Sequence, residues 1–221
     1  APVTVVDIIT TGEGGTVTLT TSGLSTLLAN DTDAGSDTLT AIGVSSPTNG
    51  TLTLNTNGTF SYVHNGSNTT TDTFSYKAND GTVDGNTVTI TININIAPET
   101  VSDTLIVNES GTVTLTSSAS ITLLDNDYDL NGDGLTAIGV SSPTNGTLIL
   151  NPNGTFSYVH DGSETTTDTF SYKAFDGKLY SDTITITITI NPIDDAPVAI
   201  GDTLMGVYST TVTLTTVGSS T

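Results

Sequence analysis

Cysteine, arginine and tryptophan are absent from the 221 residues, and the only basic side chains are Lys77, Lys173 and Lys178. Each absence closes a class of explanation. Without cysteine there are no disulfide staples, no thiolate metal ligands and no thiol nucleophile. With 23 acidic residues against three lysines the formal charge is -20, so nucleic acid and anionic membrane surfaces repel the chain instead of binding it. Partners of those two kinds, and direct membrane insertion, are excluded as expectations. No run of 18 apolar residues suggests a membrane helix, and no signal peptide is expected within the sequence. A mature secreted chain, or an excised part of one, fits. Small extracellular domains commonly need a staple to supplement a thin core, and with cysteine gone a metal is the other common choice.

Catalytic signatures are scarce as well. There is no G-x-S-x-G elbow and no phosphate loop. The two histidines, His64 and His160, each follow a "TFSYV" stretch at equivalent places, so they read as strand-end packing residues and not as partners in one site. The chain is expected not to be an enzyme.

What the chain does contain is a repeat. "LTAIGVSSPTNGTL" runs from Leu39 to Leu52 and recurs unchanged from Leu135 to Leu148, an offset of 96 residues. The register holds without a gap from Ala1 against Ala97 to Asn95 against Asn191. A third copy opens at Ala196 with "APVAIGDTL", after an inserted "PID". The expected organisation is therefore repeat 1 over 1–96, repeat 2 over 97–195, and the opening strand or strands of a third over 196–221.

Within a copy the hydrophobic period is two. "TVTLTT", "TLTAIGV", "TLTLN", "TFSYV", "DTFSYKA" and "NTVTITININ" alternate between turn signals, which is the pattern of half-buried strands. With a strand near Val3–Ile9 this predicts about seven strands per copy, an all-β fold of tandem two-sheet sandwiches of immunoglobulin size. The inward set of the last strand is expected to be Val88, Ile90, Ile92 and Ile94, and in the second copy Ile184, Ile186, Ile188 and Ile190. Asn49-Gly50 and Asn57-Gly58 tolerate positive φ, and the second, joining two alternating runs across three residues, reads as a β-hairpin. Phe60, Tyr62, Phe74 and Tyr76 read as core or cross-strand pairs.

The string "LLANDTD…GDTLTAIGV…PTNGTLTLNTNGTFSYVH…DTFSYKANDG…TVTITI", with "DDAPVA" at a junction, resembles the tandem cadherin-like or immunoglobulin-like repeats of large bacterial surface adhesins and extracellular fibres. The resemblance covers both complete copies and the start of the third. It implies an extracellular, cell-surface array of β-sandwiches, often stiffened by calcium, whose partners are neighbouring repeats of the same kind.

The acidic stretch "DNDYDLNGDG" takes its meaning from that frame. Asp127, Asp129, Asn131 and Asp133 stand at alternate positions with Gly132 before the last, the first half of a D-x-D-x-[DN]-G calcium loop. Position twelve of that loop is Ile138, so a further acid has to come from elsewhere, and Glu109 is the candidate, with Glu13 its counterpart. The first copy offers a weaker version in Asp31, Asp33 and Asp37, with Gly35 where Asn131 stands. At the second junction the resemblance implies interdomain metal ligands in Asp194, Asp195 and Asp202, the last being one of a series of aspartates, Asp7, Asp103 and Asp202, six residues after each junction alanine. The first junction, "INIAPET", has no acid before Ala97 and is expected to be held by packing alone. Asp80 and Asp176, in "NDG" and "FDG", read as turn residues first and ligands second.

Three functions remain open from sequence: a calcium-stabilised stalk module of a surface adhesin, a filament or sheath subunit forming a homopolymer through its 196–221 strand, and an accessory module of a secreted glycan-degrading enzyme.

Overall fold

The computed structural model of the chain describes residues 1–194 and Ala196. The third-copy strand, and with it Asp195 and Asp202, lies outside the described residues. The described residues form fourteen strands and one short 3-10 turn, Leu27–Asn30. The first copy holds β1 (Ile8–Gly12), β2 (Thr16–Val17), β3 (Thr40–Ser45), β4 (Gly50–Leu54), β5 (Phe60–His64), β6 (Thr71–Asn79) and β7 (Val88–Asn95). The second repeats them as β8 (Thr104–Asn108), β9 (Thr112–Val113), β10 (Thr136–Ser141), β11 (Gly146–Leu150), β12 (Phe156–His160), β13 (Thr167–Phe175) and β14 (Ile184–Asn191). In each copy a four-stranded sheet, β1-β7-β6-β3 or β8-β14-β13-β10, faces a three-stranded one, β2-β5-β4 or β9-β12-β11.

Alternation decides which side chains fill the space between the sheets, because successive residues of a strand point to opposite faces. Ile90, Ile92 and Ile94 of β7 are buried with Val88, and Ile186, Ile188 and Ile190 of β14 are buried with Ile184 partly covered. The threonines between them face solvent, where a branched Cβ favours extended backbone. Phe60, Tyr62, Phe74 and Tyr76 all enter the first core.

Two details go beyond the sequence reading. The first strand begins at Ile8, not Val3, because the backbone of Thr4 is engaged by a side chain: Asn86 accepts from Thr4 N at 2.9 Å and donates to Thr4 O at 2.9 Å. Gly50 and Gly146 are not positive-φ residues, whereas Gly58 (81°) and Gly154 (80°) are. Gly50 is needed for space: a Cβ there would lie 2.5 Å from the Tyr62 ring. Gly50→Ala is therefore expected to cost about 1–3 kcal/mol through overpacking, read as a lowered midpoint in denaturant unfolding with an unchanged slope.

One pairing orients each sandwich. β1 runs parallel to β7, with Ile8 opposite Thr91 and Gly12 opposite Asn95, and β8 runs parallel to β14 in the same register. Parallel neighbours finish at the same end, so the chain enters one pole of the sandwich beside Asp7 and leaves the opposite pole after Asn95. The entry pole gathers residues 1–7, the 27–39 loop and the turn after β6; the exit pole gathers Glu13 and the start of the next copy.

Candidate metal centre

The entry pole concentrates carboxylates that the strands deliver from distant parts of the sequence. Asp7, the residue before β1, is buried. Its Oδ1 accepts from Asn30 Nδ2 at 3.2 Å, while its Oδ2 and the Oδ1 of Asn30 are buried without a hydrogen-bond partner. Asp31 lies against it, its Oδ1 accepting from Val5 N at 2.7 Å and its Oδ2 from the Tyr76 hydroxyl at 3.1 Å. Burial first, and repulsion from Asp31 second, push the Asp7 carboxyl up to about 6. The second copy reproduces the arrangement. Asp103 Oδ2 is buried and unpartnered, Asn126 donates to Asp103 Oδ1 at 3.4 Å, and Asp127 accepts from Val101 N at 2.8 Å and the Tyr172 hydroxyl at 2.8 Å. Burial, with Asp127 and Asp125 nearby, raises Asp103 to about 6.

A second group sits on the same pole of the first copy. Asp33, Asp37 and Asp80 bring carboxylate oxygens within 4.8 Å of one another, and no other three-residue cluster of potential ligand side chains does so among the described residues. Asp33 Oδ2 accepts from Gly35 N at 2.7 Å, and its Oδ1 is buried with no hydrogen bond. The amides of Val83 and Thr82 hold the Asp80 carboxyl down to about 2.

The four alternate positions of the 127–133 loop therefore do not converge on one ion. Asp127 turns toward Asp103. Asp129 accepts from the amides of Asn131 and Asp133 at 2.9 and 3.0 Å through one oxygen and leaves Oδ2 buried and free. Asn131 is spent on the interdomain backbone, accepting from Ile96 N at 2.7 Å and donating to Ile94 O at 2.8 Å. In the first copy Asp31 likewise parts from Asp33 and Asp37. The acids proposed to complete these loops stand elsewhere. Glu109 follows β8 and accepts from Ile193 N at 3.0 Å, a strand's length from Val101 and the Asp127 loop. Glu13 sits at the exit pole of its own copy, lining an interdomain cavity of ≈ 500 Å³ with Ile96, Glu99, Tyr128 and Tyr180. The physical reason is the direction of β1 and β8, which carries the residue after the strand to the opposite pole from the residue before it. Asp194 is exposed.

Asp7 and Asp103 are the residues that a loop-centred reading undervalues. Their signal is the aspartate recurring six residues after each junction alanine, combined with the Asn30-Asp31 and Asn126-Asp127 pairs that bring a side-chain amide beside it. His64 and His160 are structural: their Nδ1 atoms accept from Gly14 N at 3.1 Å and Ser110 N at 3.2 Å, in separate sandwiches.

Two sheets per copy, parallel first and last strands and acid-lined entry poles are the setting in which comparison with known proteins becomes informative. A family model described as a bacterial cadherin-like domain matches residues 1–96 and again residues 95–192. The chain belongs to the bacterial cadherin-like domain family. As two consecutive members of it, the chain is a pair of adhesive or structural repeat modules. One curated relative, extracellular matrix protein 3 of Lytechinus variegatus, is 32% identical over 165 residues, covering 65% of this chain and 5% of that protein. The chain thus spans about a twentieth of the relative's length. Among solved structures, mouse cadherin-23 repeats 22–24 match at 15% identity over 87% of this chain and 65% of that one, with a TM-score of 0.39. An endo-fucoidan hydrolase of glycoside hydrolase family 107 matches at 18% identity over 87% of this chain and 29% of that one, with a TM-score of 0.30. At those scores neither likeness bears on function. No helix among the described residues is long and apolar enough to cross a membrane.

Proposed function

We propose that the chain is a non-catalytic, extracellular stalk segment of a cell-surface adhesin, its repeat units 1–96 and 97–195 stabilised by calcium at their entry poles. The observation that carries the metal reading is the set of buried oxygens with nothing to bond: Asp7 Oδ2, Asn30 Oδ1 and Asp103 Oδ2. An unpaired buried carboxylate oxygen is costly. Here the cost recurs at the same place in both copies, beside a second aspartate. All donors in reach are oxygens, with no sulfur and no imidazole, which suits a hard cation such as calcium. Asp7, Asn30 and Asp31 would hold it in the first copy and Asp103, Asn126 and Asp127 in the second, with Asp33, Asp37 and Asp80 as a further group. Bound calcium supplies the positive charge that these carboxylates lack.

Calcium titrated into the metal-free protein is expected to bind with a dissociation constant of roughly 0.1–1 mM, as extracellular modules do. Asp7→Asn is expected to remove the first-copy site while the second still binds. Calorimetry showing no heat beyond dilution in the wild type would remove calcium from the proposal. The stalk role itself is checked by imaging: rotary-shadowed parent protein should show a thin, extended rod whose length grows with the number of repeats.

A further inference from the structure

We propose that Lys178, Asn95 and Asn131 form a metal-free lock at the joint between the two sandwiches, with the lysine ammonium serving as a tethered cation where the first copy leaves a cluster open to an ion. The two copies are nearly identical in scaffold, so their differences are informative. The counterparts of Asp33, Asp37 and Asp80 are Asp129, Asp133 and Asp176. The first three converge within 4.8 Å and the second three do not. What separates them is a change of partners. Asp176, buried, accepts from the amides of Lys178 and Leu179 at 2.6 Å each and from Asn95 Nδ2 at 2.7 Å. Lys178 stands where the first copy has Thr82. Its Nζ donates to Asn95 Oδ1 at 2.9 Å and lies 3.4 Å from Asp133 Oδ2. Asn95, the last residue of β7 and itself buried, is therefore gripped at both ends of its amide by the second sandwich.

Asn131 completes the grip. It replaces Gly35 of the first copy and bonds the backbone on either side of Asn95, at Ile94 O and Ile96 N. Leu179, in place of Val83, reaches the end of β1: a Cβ added to Gly12 would lie 3.5 Å from its Cδ1. Three successive residues of the connection, 94 to 96, are thus fixed by side chains of the following copy. An exposed ion pair is worth little by itself, and more than half of the Lys178 side chain is exposed. The buried Asn95–Asp176 bond and the two Asn131 bonds supply most of the restraint, and the ammonium offsets the charge of Asp133 and Asp176. This inference does not depend on calcium binding anywhere, since the joint it describes is rigid with metal or without.

The test is a distance distribution between spin labels, one per sandwich, at the exposed positions Thr53→Cys and Thr147→Cys in the otherwise cysteine-free chain. The expected result is one narrow distribution, the same in chelator and in millimolar calcium. Lys178→Ala combined with Asn131→Ala is expected to lose the narrow distribution in chelator while both sandwiches still melt cooperatively. Lys178→Thr, which restores the first-copy residue and leaves the Asn95–Asp176 and Asn131 bonds in place, is expected to broaden the distribution in chelator less than the double variant does. A wild-type distribution that broadens on chelation would overturn the lock, and so would variants as narrow as the wild type in chelator. Calcium bound at Asp129, whose Oδ2 is the remaining free oxygen there, with a matching change in distance, would overturn the tethered-cation role. Failure of the calcium proposal would instead show as absent binding with the narrow distribution intact.

Discussion

Replacing Asp168 by alanine is expected to lower the stability of the second sandwich by on the order of 3–5 kcal/mol, a large fraction of the roughly 5–15 kcal/mol that holds a domain together. The carboxylate is buried at the start of β13. It accepts from the amides of Thr144, Asn145 and Thr169 at 3.0, 2.9 and 2.8 Å and from the buried Tyr158 hydroxyl at 3.0 Å. Truncation leaves several donors unsatisfied at once, each costing about 1–3 kcal/mol before relaxation. It also frees the β10–β11 connection that those amides anchor. Asp72 does the same work in the first copy, accepting from Thr48, Asn49 and Thr73 amides and from the Tyr62 hydroxyl. Denaturant unfolding of Asp168→Ala should therefore show an early transition for one sandwich and an unshifted one for the other. A single transition close to wild type would refute the anchoring role.

Stability in chelator is expected to rise as the pH falls from 7 toward 5, the reverse of what an acidic protein held by ordinary ion pairs would do. Asp7 and Asp103 are raised to about 6 in the folded chain from an ordinary 3.8, chiefly by burial, and Asp31 and Asp127 are raised in the same direction by the same cause. A carboxyl that holds its proton more tightly when folded favours the folded state at low pH and loses that advantage as pH climbs from about 4 through about 6. Asp72, Asp168, Asp80 and Asp176 are shifted the other way, by backbone and side-chain hydrogen bonds that outweigh desolvation where it is present. Their contribution is present above about 4 and lost as pH falls below it. Together these predict a chelated protein most stable near pH 4–5. In calcium the ion supplies the missing charge, so the decline toward neutral pH should disappear. The Asp7→Asn, Asp103→Asn double variant should show a flat profile between pH 5 and 7 in chelator. Thermal unfolding across pH, with and without calcium, reads all of this. A melting temperature that falls steadily on acidification from pH 7 in chelator would contradict it.

Much of the architecture is legible from local pattern. The alternation in "TVTITININ" places Val88, Ile90, Ile92 and Ile94 on one face because strand geometry has a period of two, and no other segment needs to be known. The offset of 96 residues makes the second sandwich a consequence of the first. Gly58 and Gly154 declare their turns. Gly50 shows the limit of such reading, since its reason is the ring of Tyr62 on the neighbouring strand and not a dihedral angle of its own.

The acidic pole is legible only in part. The "DNDYDLNGDG" stretch correctly marks where acid concentrates, yet its spacing suggests one cage and the fold divides its members among three tasks. Asp127 joins Asp103, Asp133 meets Lys178, and Asn131 clips the linker.

By itself the sequence determined the repeat, the alternating strands, the charge of -20 and the loops at which acids gather, because all of these are set by residues close together in the chain or by simple counts. Only the tertiary structure decided which oxygens are left without partners and which are claimed by Tyr76, Lys178 or the linker backbone. Coordination depends on lone pairs converging in space, and the parallel pairing of first and last strands brings Asp7, Asp31 and Asp80 to one pole while carrying Glu13 and Glu109 to the other.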